Sequence, residues 1–255
     1  MLEVRDLAVS YGHTRIIDGL DLDVPRGGVT TIIGPNGCGK STMLRAVAGL
    51  IPRERGTVTV DGEDTARMKR RELALKLAVL PQTPIAPEGL TVRDLVSRGR
   101  HPHQTWLRQD SARDRAAVEE VMERTRVAQF ADRPLERLSG GQRQRAWIAM
   151  VLAQDTPLVF LDEPTTYLDL SHCLEVLALV RQLADDTGRT VVMVLHDLNL
   201  AARFSDRLVV MRGGEVQATG SPAEVLTEPL LSRVFDLSAL LAEDPVTGGP
   251  LIVPR

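Results

Sequence analysis

Along the first sixty residues apolar and polar positions alternate in short runs: LEVRDLAVSY from Leu2, GLDLDV from Gly19 and GTVTVDG from Gly56, the last closed by the turn pair Asp61-Gly62. A period of two puts alternate side chains on one face of a sheet, so this stretch is predicted to be mostly β. One unit inside it breaks the pattern. VTTII, Val29 to Ile33, is an unbroken apolar run suited to a buried strand, and STMLRAVAGL, from Ser41, has a helical period that ends near Gly49 with Pro52 beyond. In the middle of the chain the spacings Thr91 to Asp94 and Ser111 to Asp114 predict capping boxes. The second opens SARDRAAVEEVMERT, whose Ala117, Val118, Val121 and Met122 form one helical stripe. A helical subdomain is therefore expected from about Pro84 to Gln154. The later half alternates again, with LVFLDE, the helix SHCLEVLALVRQLADD stopping at Gly188, TVVMVLHD and RLVVMRGG. Wholly apolar strands between helices predict an α/β fold whose parallel sheet is covered on both faces. SPAEVL supplies Ser221 as N-cap, Pro222 at the first helical position and Glu224 three residues after the cap. The residues after about Ala242 are expected to be loosely held.

Composition narrows the picture. The 255 residues are 43% hydrophobic and 25% charged, enough for a substantial core, and a formal net charge of -3 supplies no overall positive field for nucleic acid. The N-terminus MLEVRDLAVSYG has no apolar signal-peptide core, and no run of about eighteen apolar residues occurs. A cytosolic chain is expected, with any membrane role coming through partners. Cys38 and Cys173 are too few for a disulfide framework or a cysteine metal site and are expected to be reduced thiols.

The candidate chemistry begins at GPNGCGKST: Gly34, Pro35, Asn36, Gly37, Cys38, Gly39, Lys40, Ser41 and Thr42. It matches the phosphate-binding pattern between a strand and a helix, in which glycines let backbone N–H groups converge on an anion at the positive end of the helix dipole. Lys40 would reach the β- and γ-phosphates and the Ser41 hydroxyl would ligate Mg²⁺. Only Lys40, Lys69 and Lys76 are lysines among 31 basic residues, so a lysine at this place is not a matter of abundance. The strand PLVFLDEP ends in two acids, of which Asp162 would hold hydrated Mg²⁺ and Glu163 could polarise an attacking water.

With these residues in order, the chain resembles the ATP-binding subunit of an ABC transporter from about Leu2 to Leu237. LSGGQ, Leu138, Ser139, Gly140, Gly141 and Gln142, matches the family signature. The resemblance implies a P-loop NTPase fold: an ABC-type domain over 1–240 with a mixed β-sheet core, an antiparallel β subdomain and an inserted helical subdomain at about 84–154, followed by a C-terminal tail at 241–255. It implies that ATP lies between one chain's phosphate loop and the signature of a second copy. Tyr11 corresponds to the aromatic that stacks on adenine, and Gln82 to the glutamine that touches Mg²⁺ and water and couples to the membrane subunits. Asp169 ends the loop that addresses the opposite protomer, although Tyr167 replaces the small residue more usual there. His196 corresponds to the switch histidine at the γ-phosphate. Cys38 departs from the commoner serine at a position that mainly contributes backbone. The implied partners are a second copy, integral membrane permease subunits and, indirectly, a substrate-binding lipoprotein or periplasmic protein, with the chain peripheral on the cytoplasmic face of the membrane and binding no nucleic acid.

VSRGRHPHQ, Val96 to Gln104, and DEPTTYLDLSHCLEVLALVRQL, Asp162 to Leu183, are similar to the ATPases of iron-siderophore importers. Importers of haem or cobalamin have related ATPases and remain an alternative. A soluble ABC ATPase acting on ribosomes or DNA is a rival of another class, but paired cassettes, long coiled coils and zinc insertions do not occur in this sequence. The two histidines of HPH lack a third ligand nearby in sequence and are expected to form a surface turn.

Overall fold

The computed structural model describes residues 1–104 and 111–255. They form two compact units, one of Met1–Arg67 with Leu183–Arg255, the other of Met68–Gln182.

The first unit opens on the hairpin of β1 (Leu2–Tyr11) and β2 (Thr14–Val24). Then come β3 (Gly28–Ile33), α1 (Lys40–Val47), β4 (Arg55–Val60) and the short β5 (Glu63–Asp64). β1, β2, β4 and β5 make an antiparallel sheet in the order β2-β1-β4-β5. The alternation in β1 slips between Val4 and Leu7, because a bulge there inserts Asp6 at φ 50. The Asp6 carboxylate accepts from Arg55 Nε at 2.6 Å, which ties the bulge to β4.

The second unit contains α2 (Arg70–Ala74), β6 (Leu77–Leu80), α3 (Val92–Arg98), α4 (Ala112–Arg124), α5 (Gly140–Ala153), β7 (Leu158–Asp162) and α6 (Leu170–Thr187), the last leading back to the first unit. α3, α4 and α5 occupy the region expected to be helical, but the compact unit is wider, because the parallel pair β6–β7 flanks them in sequence and belongs to the same body. Ser111 and Asp114 form the full capping box on α4. Thr91 caps α3 differently: its hydroxyl accepts from Asp94 N and donates to the Asp94 carboxylate at 2.6 Å. Val118 and Met122 bury the stripe of α4, while Ala117 and Val121 lie at its half-buried margin. Arg100, buried, donates from Nε to Asp114 at 2.9 Å and from NH1 to the Ala153 carbonyl at 2.8 Å, joining the three helices. HPH is a single 3-10 turn in which His103 Nε2 lies 2.7 Å from the Gln154 carbonyl.

The chain returns with β8 (Thr190–Val194), α7 (Leu198–Phe204), β9 (Arg207–Arg212), β10 (Glu215–Gly220), α8 (Pro222–Val225) and α9 (Glu228–Phe235). β3 runs parallel to β8 on one side and to β9 on the other, and β10 closes that edge antiparallel to β9. β8 is buried throughout and β3 everywhere but at Gly28, with Thr30, Thr31 and Thr190 buried among the apolar residues. Ser221, Pro222 and Glu224 open α8 in a complete capping box. The C-terminal residues are not loose. β11 (Ala239–Glu243) and β12 (Pro250–Pro254) form an antiparallel hairpin with Ala239 and Ile252 buried, and the Ile252 backbone N–H and C=O are both held by the Asn199 side chain.

Candidate functional site

β3 delivers its chain end into the glycine loop, and α1 starts at Lys40 after Gly39, whose φ of 100 turns the backbone into the helix. A Cβ at Gly34 would run into the Met211 carbonyl oxygen and the Cys38 sulfur, so the loop passes closer to β9 than any side chain allows. No side chain caps α1, whereas hydroxyls or carboxylates of Thr91, Ser139, Asp197, Ser221 and Thr227 cap α3, α5, α7, α8 and α9. The capping position of α1 is thus held by a glycine that has no side chain to place there, the arrangement that lets a phosphate approach a helix N-terminus. Lys40 is only 5% exposed, and its ammonium bridges the loop, donating to the carbonyls of Gly34 at 2.8 Å and Pro35 at 2.9 Å. Pro35, Ser41 and Thr42 are half-buried, and Asn36 and Gly37 form the exposed tip. Burial pushes the Cys38 thiol above its ordinary range, with the Lys40 charge opposing, so it stays protonated at neutral pH.

The strand register brings His196 to the same edge. Ile32 pairs with Val194 across the parallel β3–β8 ladder, so Gly34 and His196 each follow two residues later at the C-terminal ends of neighbouring strands. This is where open α/β sheets bind ligands. Tyr11 ends β1, 48% exposed, on the hairpin whose Ile16 and Ile17 lie against Gly39.

The second unit assembles the other acidic and polar candidates. Leu80 pairs with Leu161 in the parallel β6–β7 ladder, so Gln82 and Glu163 are both two residues past the pair. Gln82 Nε2 donates to Glu163 Oε2 at 2.5 Å, which leaves its Oε1 as the acceptor end of the amide. Thr166 Oγ1 donates to the same carboxylate oxygen at 2.9 Å. Asp162, 1% exposed, ends β7 beside them in sequence. Glu163 has a φ of 52 and Tyr167 one of 66, so two side-chain-bearing residues in this turn hold left-handed backbone, a strain found at functional sites. Tyr167 is 92% exposed.

Ser139 and Gln142 of the signature form a capping box on α5. Gln142 N donates to Ser139 Oγ at 3.3 Å, and Ser139 N donates to Gln142 Oε1 at 3.1 Å. The spacing S-x-x-Q carried that signal in the sequence, hidden behind its resemblance to a binding motif. Leu138 is buried under the turn, Gly140 starts the helix, and a Cβ on Gly141 would strike the His172 ring. His172 in turn lies 2.8 Å from Asp169 Oδ1 through Nδ1. Asp169 also accepts from His172 N and Ser171 Oγ, both at 2.9 Å, and these bonds, led by the backbone N–H, lower its carboxyl pKa to about 2. Asp169 thus caps α6 and reaches the signature turn through His172. Neither His172 nor Thr166 stood out in the sequence; a hydroxyl three residues after Glu163 was the only signal for Thr166.

Among the described residues no group of three or more His, Cys, Asp or Glu is placed to hold a metal ion. The candidate magnesium residues Ser41, Gln82 and Asp162 instead offer a hydroxyl, an amide oxygen and a carboxylate, hard oxygen donors that suit Mg²⁺ with part of its water shell retained.

A family model described as ABC transporter matches residues 17–166. The petrobactin import ATP-binding protein FpuD of Bacillus anthracis is 49% identical over 254 residues, covering 100% of this chain and 93% of that protein. The achromobactin transport ATP-binding protein CbrD of Dickeya dadantii (strain 3937) is 50% identical over 250 residues, covering 98% and 93%. Among solved structures, the ATP-binding cassette MJ0796, a dimer in a post-hydrolysis state bound to ADP and Pi, superposes with a TM-score of 0.75 at 27% identity, covering 87% of this chain and 99% of that one.

Proposed function

Since this chain belongs to the ABC transporter family, we propose that it is the ATP-hydrolysing subunit of an importer, and that the cargo is a ferric siderophore carried through separate permease subunits. ATP and water give ADP and phosphate, and the closing and opening of a pair of copies is the mechanical output. The observation that carries the chemistry is the register-fixed contact of Gln82 with Glu163: a carboxylate held by an amide at the end of a buried strand is the arrangement that aligns a water for attack on a phosphoryl group.

Each residue has a proposed part. Lys40 and the uncapped start of α1, with the backbone from Gly34 to Thr42, bind the β- and γ-phosphates. Tyr11 offers its exposed ring to adenine. Ser41, Asp162 and Gln82 would hold Mg²⁺, which when bound neutralises charge on the phosphate oxygens. Glu163 takes up hydrogen bonds from the attacking water, and His196 donates to the γ-phosphate as charge develops. Leu138, Ser139, Gly140, Gly141 and Gln142 present the N-terminus of α5 to the ATP of a second copy, with Asp169 placed beside that turn by His172. One loop and one signature per chain support two ATP sites per pair. No helix among the described residues is long and apolar enough to cross a membrane, which agrees with attachment through permease subunits at the cytoplasmic face.

The iron cargo is supported by full-length similarity to proteins named for petrobactin import and achromobactin transport. Deleting the gene, with redundant ATPases removed, should abolish uptake of radiolabelled ferric siderophore, and a Glu163→Gln copy should not restore it. Normal siderophore uptake together with lost haem or cobalamin uptake would move the cargo to those chelates and leave the ATPase reading intact.

A further inference from the structure

The C-terminal hairpin makes a contact that the catalytic reading does not use. Asn199 Nδ2 donates to the Ile252 carbonyl at 3.1 Å, and Ile252 N donates to Asn199 Oδ1 at 2.8 Å. The carboxamide thus pairs with both backbone groups of one residue of β12, as a neighbouring strand would, and closes part of the hairpin's open edge. Asn199 lies in the first turn of α7, one residue after the helix starts at Leu198, and His196 directly precedes the N-cap Asp197, whose Oδ1 accepts from Leu200 N at 2.8 Å. α7 also packs against β3, and Ser205 just beyond it meets Thr31 of β3 through their hydroxyls at 2.5 Å. At the tip of the hairpin the Asp244 carboxyl is held below its ordinary range chiefly by the Val246 N–H, and Arg203 of α7 contributes to the lowering.

A helix of seven residues has little stability of its own, so its position is set by what grips it. We propose that the hairpin β11–β12 braces the switch region, with Asn199 as a positioning residue that fixes α7, and through α7 the place of His196, for ATP hydrolysis. The proposal rests on the ATPase reading above. If that reading fails, the unaltered protein does not hydrolyse ATP; if the brace alone fails, it hydrolyses ATP and the variants match it.

Three changes test the brace in the full chain with permease present: Asn199→Ala removes the carboxamide, Ile252→Pro removes the N–H without touching α7, and a stop after Ser238 removes the hairpin. Each should lower kcat about tenfold while KM for ATP changes less than about twofold, the signature of a misplaced group rather than a lost binding contact. Asn199→Asp, which keeps the acceptor and loses the donor, should fall between Asn199→Ala and the unaltered protein. Adding Asn199→Ala to Ile252→Pro or to the truncation should cost nothing further, because the same pair is already broken. Unchanged kcat in Asn199→Ala and Ile252→Pro, or losses that multiply when the two are combined, overturns the proposal. Should the truncated chain fail to fold, those two point variants and their combination decide alone.

Discussion

Gln82 and Glu163 stand 81 positions apart in the chain, yet their side chains meet at 2.5 Å, because β6 and β7 pair in parallel with Leu80 opposite Leu161. Replacing Glu163 with Gln keeps the size of the group and removes its charge. ATP affinity should be retained while hydrolysis slows by about a hundred- to ten-thousandfold. Phosphate release and isothermal titration with ATP and Mg²⁺ report the two quantities, and an ATP-bound pair of chains should accumulate in light scattering. Hydrolysis at the unaltered rate would remove Glu163 from its proposed role.

Thr166 donates to the oxygen of Glu163 that also accepts from Gln82. Thr166→Val keeps the shape and loses the hydroxyl, so kcat should fall about tenfold with KM unchanged, as expected for a hydrogen bond to a charged group. Thr166→Ser should recover most of the loss. Steady-state kinetics on the pair of variants decides the matter.

Ser139 has two tasks, and stability measurements separate them. Ser139→Ala should cost about 1 kcal/mol through the lost cap on α5 and lower the melting temperature, with ATP affinity of the single chain intact. Lys40→Ala should abolish ATP binding and leave the α5 cap untouched. Equal loss of nucleotide affinity in both would contradict the division between phosphate loop and signature.

Asp169 predicts an acid-sensitive contribution. Its carboxyl pKa is about 2 in the folded chain against an ordinary 3.8, with the His172 backbone N–H as the main cause. A lowered folded pKa means that folding favours the anion, so the contribution is present above the ordinary value and is lost as pH falls from about 4 to about 2. Asp169→Asn can still cap α6 but cannot titrate. Urea midpoints measured down this range should fall less steeply for the variant than for the unaltered protein.

Arg100 and Asp114 are a buried pair that also anchors the end of α5 through the Ala153 carbonyl. Arg100→Leu should destabilise the protein by about 3 kcal/mol, because it leaves a buried carboxylate without its guanidinium. Adding Asp114→Asn should return part of that loss in a chemical denaturation series. A double variant as unstable as the sum of the singles would show that the two groups act independently.

The sequence by itself determined whatever depends on residues three or four apart or on the period of a single element. The glycine loop before α1, the boxes at Ser111 and Ser221, and the buried strands β3, β7 and β8 were all legible, because each is an interaction of a segment with itself or with a buried layer it must enter. At Thr91 the cap was legible but the box was not formed: the hydroxyl accepts from Asp94 N and also donates to the Asp94 carboxylate, since a hydroxyl can do both.

Only the tertiary structure decided which distant groups meet. Glu163 acquires Gln82 through strand register, Gly141 faces His172 where α5 passes the start of α6, and Asn199 finds Ile252 53 residues on, turning an expected loose end into a hairpin. Such pairs leave no period in the sequence. Their partners are chosen when burial of whole faces sets register and closes long loops, and the closing cost varies so slowly with loop length that spacing alone does not choose among partners.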